Sequence, residues 1–112
     1  MAESCIFCKI GNGDLPSDKV FDDGEAFAIR DIHPKAPTHV LVVPHTPIEA
    51  LAEGSAAQRD AAAHCLAVAP RIAKDLGVTS YRLVVNQGPD SGQEVPHFHL
   101  HILGGRRLGA MG

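Results

Sequence analysis

The sequence predicts an α+β domain in which a five-stranded antiparallel sheet carries one long helix and a short N-terminal helix. Three observations predict it. Apolar, β-branched stretches are short and are cut apart by 11 glycines and 8 prolines in 112 residues, which suits short strands joined by turns. One stretch, Ser55 to Gly77, keeps a helical apolar period. Another, His97 to Leu103, alternates between polar and apolar residues, the period of a strand with two unlike faces. The length suits a single domain over residues 1–112, because one core usually organises ~100–150 residues.

The elements follow in order. Cys5-Ile6-Phe7-Cys8-Lys9-Ile10 places apolar residues as one helical turn would, and Gly11 and Gly13 stop it. Lys19 to Asp22 and Ala26 to Arg30, separated by Asp23-Gly24-Glu25, form a hairpin with a glycine-containing turn. His39 to Val43 is a β-branched third strand ended by Pro44. Ser55-Ala56-Ala57-Gln58 fits a capping box that opens the long helix. Ala61, Cys65, Val68, Ile72 and Leu76 give it one apolar face, Gly77 ends it in a left-handed cap, and Pro70 kinks rather than ends it. Tyr81 to Val85 and His97 to Leu103 are the last two strands, joined by a Gly/Pro-rich loop.

Composition excludes several classes. A net charge of −3 argues against a protein held to nucleic acid through its phosphates, which needs clustered Lys and Arg. No apolar run approaches the ~18–20 residues of a membrane helix, and no signal-peptide core follows Met1, so a cytoplasmic chain without membrane partners is expected. Three cysteines suit thiols or a metal site better than a disulfide framework.

The seven histidines carry the chemistry. On a strand, His97, His99 and His101 project from one face, ~6.7 Å apart, while Phe98, Leu100 and Ile102 fill the other. A single metal would leave one imidazole unexplained, because His97 and His101 begin ~13 Å apart at the backbone. A catalytic row uses all three: one imidazole attacks, and its neighbours orient it and hold or protonate the electrophile. Attack on phosphorus would give an N–P bond that water cleaves in a second step. Asn86 to Gln93, just before the strand, has the small residues that let backbone N–H groups approach an anion.

Five stretches then fall in one order: Cys5 to Ile10 with Leu15-Pro16-Ser17; Ala28-Ile29-Arg30-Asp31-Ile32; Ala36 to Pro44; Val84-Val85-Asn86 with Gly92-Gln93; and His97 to His101 followed by Ile102-Leu103-Gly104-Gly105-Arg106. Together they resemble the histidine triad superfamily, and its Hint branch in particular, over nearly the whole chain. The resemblance implies a histidine-triad-like fold and a nucleotide hydrolase that cleaves the P–N bond of purine nucleoside phosphoramidates, releasing the nucleoside monophosphate. It implies His99 as the nucleophile, His101 as the residue at phosphate and leaving group, and His97 and His39 as the supporting pair behind the nucleophile. Asp31 would accept both ribose hydroxyls with Ile32 beside it. Asn86, Gly92 and Gln93 would touch the phosphate, and Phe7, Ile10, Leu15 and Ile29 would form the slot for the base.

Each position also has a plain structural role open to it: Phe7, Ile10 and Ile29 as core, Asp31 as the start of a turn, His39 as a buried and satisfied histidine. His33 and His64 match no catalytic position. Glu94 stands where animal relatives have a serine that helps the leaving nitrogen, Pro96 replaces a common aromatic, and the chain ends soon after Arg107. Two reduced, packed cysteines are one reading of Cys5 and Cys8; the other, implied by some relatives, is a structural zinc on Cys5, Cys8 and His97, not needed for catalysis, with the fourth ligand of those relatives replaced by Pro47. The resemblance also implies a homodimer in which two sheets join and the long helices pack together. Rival functions are a non-catalytic nucleotide sensor or scaffold and a dinucleoside polyphosphate hydrolase.

Overall fold

The computed structural model describes residues 6–93 and 95–112. Five strands, β1 (Lys19–Asp22), β2 (Ala26–Arg30), β3 (Thr38–Pro44), β4 (Tyr81–Val85) and β5 (Leu100–Gly104), join two helices, α1 (Ile6–Gly11) and α2 (Ala56–Asp75). The strands form one antiparallel sheet in the order β1-β2-β3-β5-β4, so β5 lies inside it and β4 at an edge. The α+β architecture is the one read from the sequence.

Local chemistry sets the elements. In the β1–β2 turn the Asp23 carboxylate accepts from the amides of Glu25 and Ala26, and Gly24 takes φ +88°. Ser55 Oγ accepts from the Gln58 amide while Gln58 Oε1 accepts from the Ser55 amide, the reciprocal cap of α2. At the other end the Gly77 amide donates to Lys74 O and the Val78 amide to Ala73 O, with Gly77 at φ +77°, the paired bonds of a Schellman cap. Pro70 lies on the exposed side of α2, and the helix runs on through it.

Alternation along the strands gives the sheet two faces. On one, Ala26, Ala28, Val40, Val42, Leu100 and Ile102 pack against α2. The buried stripe of the helix is Ala62, Cys65, Ala69, Ile72 and Ala73, with Ala61, Val68 and Leu76 half-buried beside it. The stripe is therefore rotated slightly from the one expected, because alanines bring the helix closest to the sheet. Burial pushes the Cys65 thiol up to about 12, so it packs as a small protonated group. On the opposite face Phe7 and Ile10 of α1 join Phe27, Ile29, Leu41 and Val43 in a second apolar cluster.

One boundary differs from expectation. β5 begins at Leu100, not at His97. The ladder stops because Pro44 ends β3 and the amides before Leu100 bond elsewhere, His97 to Val95 O and Phe98 to Ile48 O. Phe98, Leu100 and Ile102 are nonetheless all buried on the α2 side, as the alternation predicts.

Candidate active site

The site is built on the α1 side of the sheet. His101 pairs directly with Leu41 on β3 and with Val84 on β4, and directly opposed residues share a face. His97, His99 and His39 are buried, and His101 is half-buried. Their rings form a chain: Phe7 meets His97 and His99 edge-on at 5.8 and 5.0 Å between centroids, His99 meets His101 at 5.0 Å, and His101 meets His39 at 5.2 Å.

Backbone groups fix which nitrogen of each ring carries the proton. A carbonyl only accepts and an amide N–H only donates. His99 Nδ1 lies 2.8 Å from His97 O, so Nδ1 holds the hydrogen and Nε2 keeps its lone pair. The Lys35 amide donates to His39 Nδ1 at 3.0 Å, so His39 carries its hydrogen on Nε2. That Nε2–H points to His101 Nδ1 at 2.9 Å, which places the hydrogen of His101 on Nε2. Among the described residues, His101 Nε2 is enclosed and has no hydrogen-bond partner. An unmet buried donor costs about 1–3 kcal/mol, and a phosphate oxygen would meet it. Two adjacent imidazoles thus present opposite tautomers, a lone pair on His99 and an N–H on His101.

Burial disfavours charge on three of the four rings, His39, His97 and His101. Burial, with the neighbouring His99 and His39 adding to it, lowers His101 to about 4. Burial also lowers His39 against the pull of Asp31, and lowers His97 against its bond to Pro44 O.

Asp31 serves a turn and the site at once. Its Oδ1 accepts from the His33 amide at 2.8 Å, and its Oδ2 lies 3.4 Å from His39 Nε2. Ile32 beside it is 85% exposed, an apolar side chain left on the rim. Phe7, Ile10 and Ile29 are core, although Phe7 also walls the triad; Leu15 is exposed. Val85 pairs with Leu100, which sets half-buried Asn86 level with His99. In the following loop Gln93 Oε1 accepts from the Gly88 amide, and Gly88 and Gly92 take φ +89° and +98°, conformations that favour glycine.

The supporting pair is divided differently from what was expected. The carbonyl of His97, not its ring, holds His99, and His39 holds His101. The His97 ring donates from Nε2 to Pro44 O at 3.1 Å and turns Nδ1 toward Cys8 Sγ at 3.6 Å. Cys8 is disulfide-bonded, which the cysteine count did not suggest. Cys5 and Glu94 lie outside the described residues. Asp31, His39 and His101 could gather round a cation, with ligand atoms within 4.8 Å of one another, although the 2.9 Å bond between the two rings and the Lys35 amide occupy both nitrogens of His39 and Nδ1 of His101. His33 makes loop bonds through its backbone, its amide donating to Asp31 and its carbonyl accepting from Lys35 Nζ, and His64 bonds Asp23 on the far side of the hairpin.

Residues 12–108 match the HIT domain family. The chain belongs to the HIT family. It is 44% identical over 113 residues to the purine nucleoside phosphoramidase of Escherichia coli K12, covering 99% of this chain and 95% of that one. Among solved HIT structures, a histidine triad protein from Clostridium difficile superposes with a TM-score of 0.89 at 43% identity, over 96% of both chains. A HIT family hydrolase from Clostridium thermocellum gives 0.91 at 38% identity, over 99% of this chain and 98% of that one. The amide of Lys35 and the carbonyl of Pro44 could not be found by residue type, since backbone groups act there.

Proposed function

We propose that this HIT protein hydrolyses the P–N bond of purine nucleoside phosphoramidates through a nucleotidyl intermediate on His99. The observation that carries the reading is the opposite tautomers of His99 and His101. In the first step the His99 Nε2 lone pair bonds to phosphorus as the P–N bond breaks, and the departing nitrogen takes up a proton drawn from solvent. His101 Nε2–H donates to a non-bridging oxygen where charge gathers. In the second step water attacks, the N–P bond breaks, and the nucleoside monophosphate leaves as a proton returns to solvent. The His99 Nδ1–H stays on His97 O throughout, which stabilises the charged ring of the intermediate. The name of the 44%-identical relative supports the substrate class.

Asp31, whose Oδ2 lies 3.4 Å from His39 Nε2, and exposed Ile32 beside it are assigned to the ribose; Asn86, Gly92 and Gln93 are assigned to the phosphate side and Glu94 to the side of the leaving nitrogen. A cytoplasmic site of action goes with such nucleotide substrates. A homodimer is part of the proposal, supported by the edge position of β4 and by an apolar groove beside it, lined by Ala62, Ala63, Leu66, Val85 and Leu100, on the face away from the triad. A structural zinc would be held by Cys8, once reduced, and His97. In support, the His97 Nε2–H bond to a carbonyl leaves Nδ1 as the ligating nitrogen.

The test is turnover of adenosine and guanosine phosphoramidates beside dinucleoside polyphosphates. The reading expects P–N cleavage to dominate and to vanish in His99→Ala. Preferential cleavage of polyphosphates, or activity in His99→Ala within about tenfold of the parent, would overturn it.

A further inference from the structure

Among the described residues no hydrogen bond joins the Gly104-Gly105-Arg106 segment to the rings of His99 or His101, yet its geometry is closely constrained. A Cβ on Gly104 would meet Val78 Cγ1 at 2.5 Å and Ser80 O at 2.9 Å. Gly105 sits at φ +93°, and a Cβ there would meet Pro37 Cβ at 3.0 Å. Gly104 therefore lets the end of β5 pack closely on the turn before β4, and Gly105 lets the chain leave flat against the loop that joins β2 to β3. Arg106 then reaches across that loop, its Nη2 donating to Lys35 O at 2.8 Å while Nη1 donates to Arg107 O at 2.8 Å. Lys35 is the residue whose amide donates to His39 Nδ1. One residue is thus held at its carbonyl by the guanidinium and used at its amide to set a buried ring.

We infer that Arg106 is a positioning residue: by gripping Lys35 it keeps the Lys35 amide on His39, which holds the His39 hydrogen on Nε2 and so keeps the His101 hydrogen on the nitrogen that meets the phosphate. The inference rests on the reading of His101 as the donor to phosphate. Without the grip, the loop from His33 to Pro37 can draw its amide away, His39 can carry hydrogen on either nitrogen, and His101 Nδ1 loses its fixed donor. Arg106 is exposed and its guanidinium bonds two carbonyls, so the device adds orientation rather than packing. Asp31 helps from the other end of the same loop, through its bond to the His33 amide.

The experiment reads tautomers and turnover together in Arg106→Met, which keeps the stem and removes the donors, and in Arg106→Lys, which restores one donor. Long-range 15N–1H spectra of the ligand-free protein report the proton position on each imidazole and need no substrate. The parent should show His39 and His101 with hydrogen on Nε2 and His99 with hydrogen on Nδ1. In Arg106→Met, His39 and His101 should become tautomer mixtures while His99 stays unchanged. The rate constant kcat for an adenosine phosphoramidate should fall about tenfold, a part of the ~10²–10³-fold that one placed hydrogen-bond donor to developing charge contributes, with KM nearly unchanged. Arg106→Lys should recover most of both. Unchanged His39 and His101 spectra in Arg106→Met, or a uniform loss of signal dispersion from general loosening, would overturn the inference. A parent with the stated tautomers but no phosphoramidase activity would instead count against the proposed reaction, leaving the grip to be judged on the spectra.

Discussion

On the α2 side of the sheet, Val40, Val42, Leu100 and Ile102 meet Ala62, Cys65, Ala69 and Ile72 in one apolar cluster. On the other side, Leu41 and Val43 share their face with His39, His99 and His101, and every one of those rings is tied to a backbone group or another ring. The first face contributes stability by removing apolar area from water. The second gives some of that up, since it buries polar imidazoles and leaves one N–H unmet. The same strands build both, because alternate residues of β3 and β5 point to opposite sides. A fold of this size can thus keep a costly polar row by stiffening it from behind with an apolar layer.

Substitutions that separate the two faces should separate activity from stability. His99→Ala should lower turnover by at least about a thousandfold while thermal stability holds or rises, as read by initial rates and a melting curve; a large stability loss with modest loss of rate would erase the contrast. Ile72→Ala on the α2 face should do the reverse, losing about 2–5 kcal/mol in urea unfolding while the folded fraction keeps its kcat. Asp31→Ala should weaken binding of ribonucleotides more than of 2′,3′-dideoxy analogues, by about 1.5–3 kcal/mol for each lost bond to a charged group. Equal losses in calorimetric titrations of both would remove Asp31 from the ribose.

Acid should act on the triad face first. His101 is lowered to about 4 from the ordinary 6.5, so between those pH values the unfolded chain takes up a proton that the folded chain refuses. Stability is therefore full above pH 6.5 and declines as pH falls toward 4, by at most ~3 kcal/mol for this ring. His39 and His97 lean the same way. Asp23, held down to about 2 chiefly by hydrogen bonds from Ala26, His64 and Glu25 that outweigh the opposing effect of burial, matters only in stronger acid. Urea midpoints at pH 7 and 4.5 should converge in His101→Asn relative to the parent; an unaltered pH slope would place the sensitivity elsewhere.

Much of this contrast was legible in the sequence, for a physical reason. Period two in His97 to Leu103 and the cap residues Ser55, Gln58 and Gly77 report local geometry, which side-chain type records directly. The start of β5 at Leu100 was not legible, because it depends on Ile48 O and Pro44, distant in sequence, competing for the amides and rings of residues 97–99. The roles of His39 and His97 were divided differently for the same cause: Lys35 and His97 act through the main chain, which every residue possesses. The small shift in the α2 stripe reflects alanine packing, which a period of apolar residues locates only to within a neighbouring position.

The central claim is that a lone pair on His99 Nε2 makes and then loses a bond to phosphorus. The stereochemical course of hydrolysis tests it most directly, using an adenosine phosphoramidate made chiral at phosphorus with sulfur and cleaved in 18O-water. Two displacements, one by His99 and one by water, predict overall retention of configuration at phosphorus. Inversion would mean a single direct attack by water and would contradict the account.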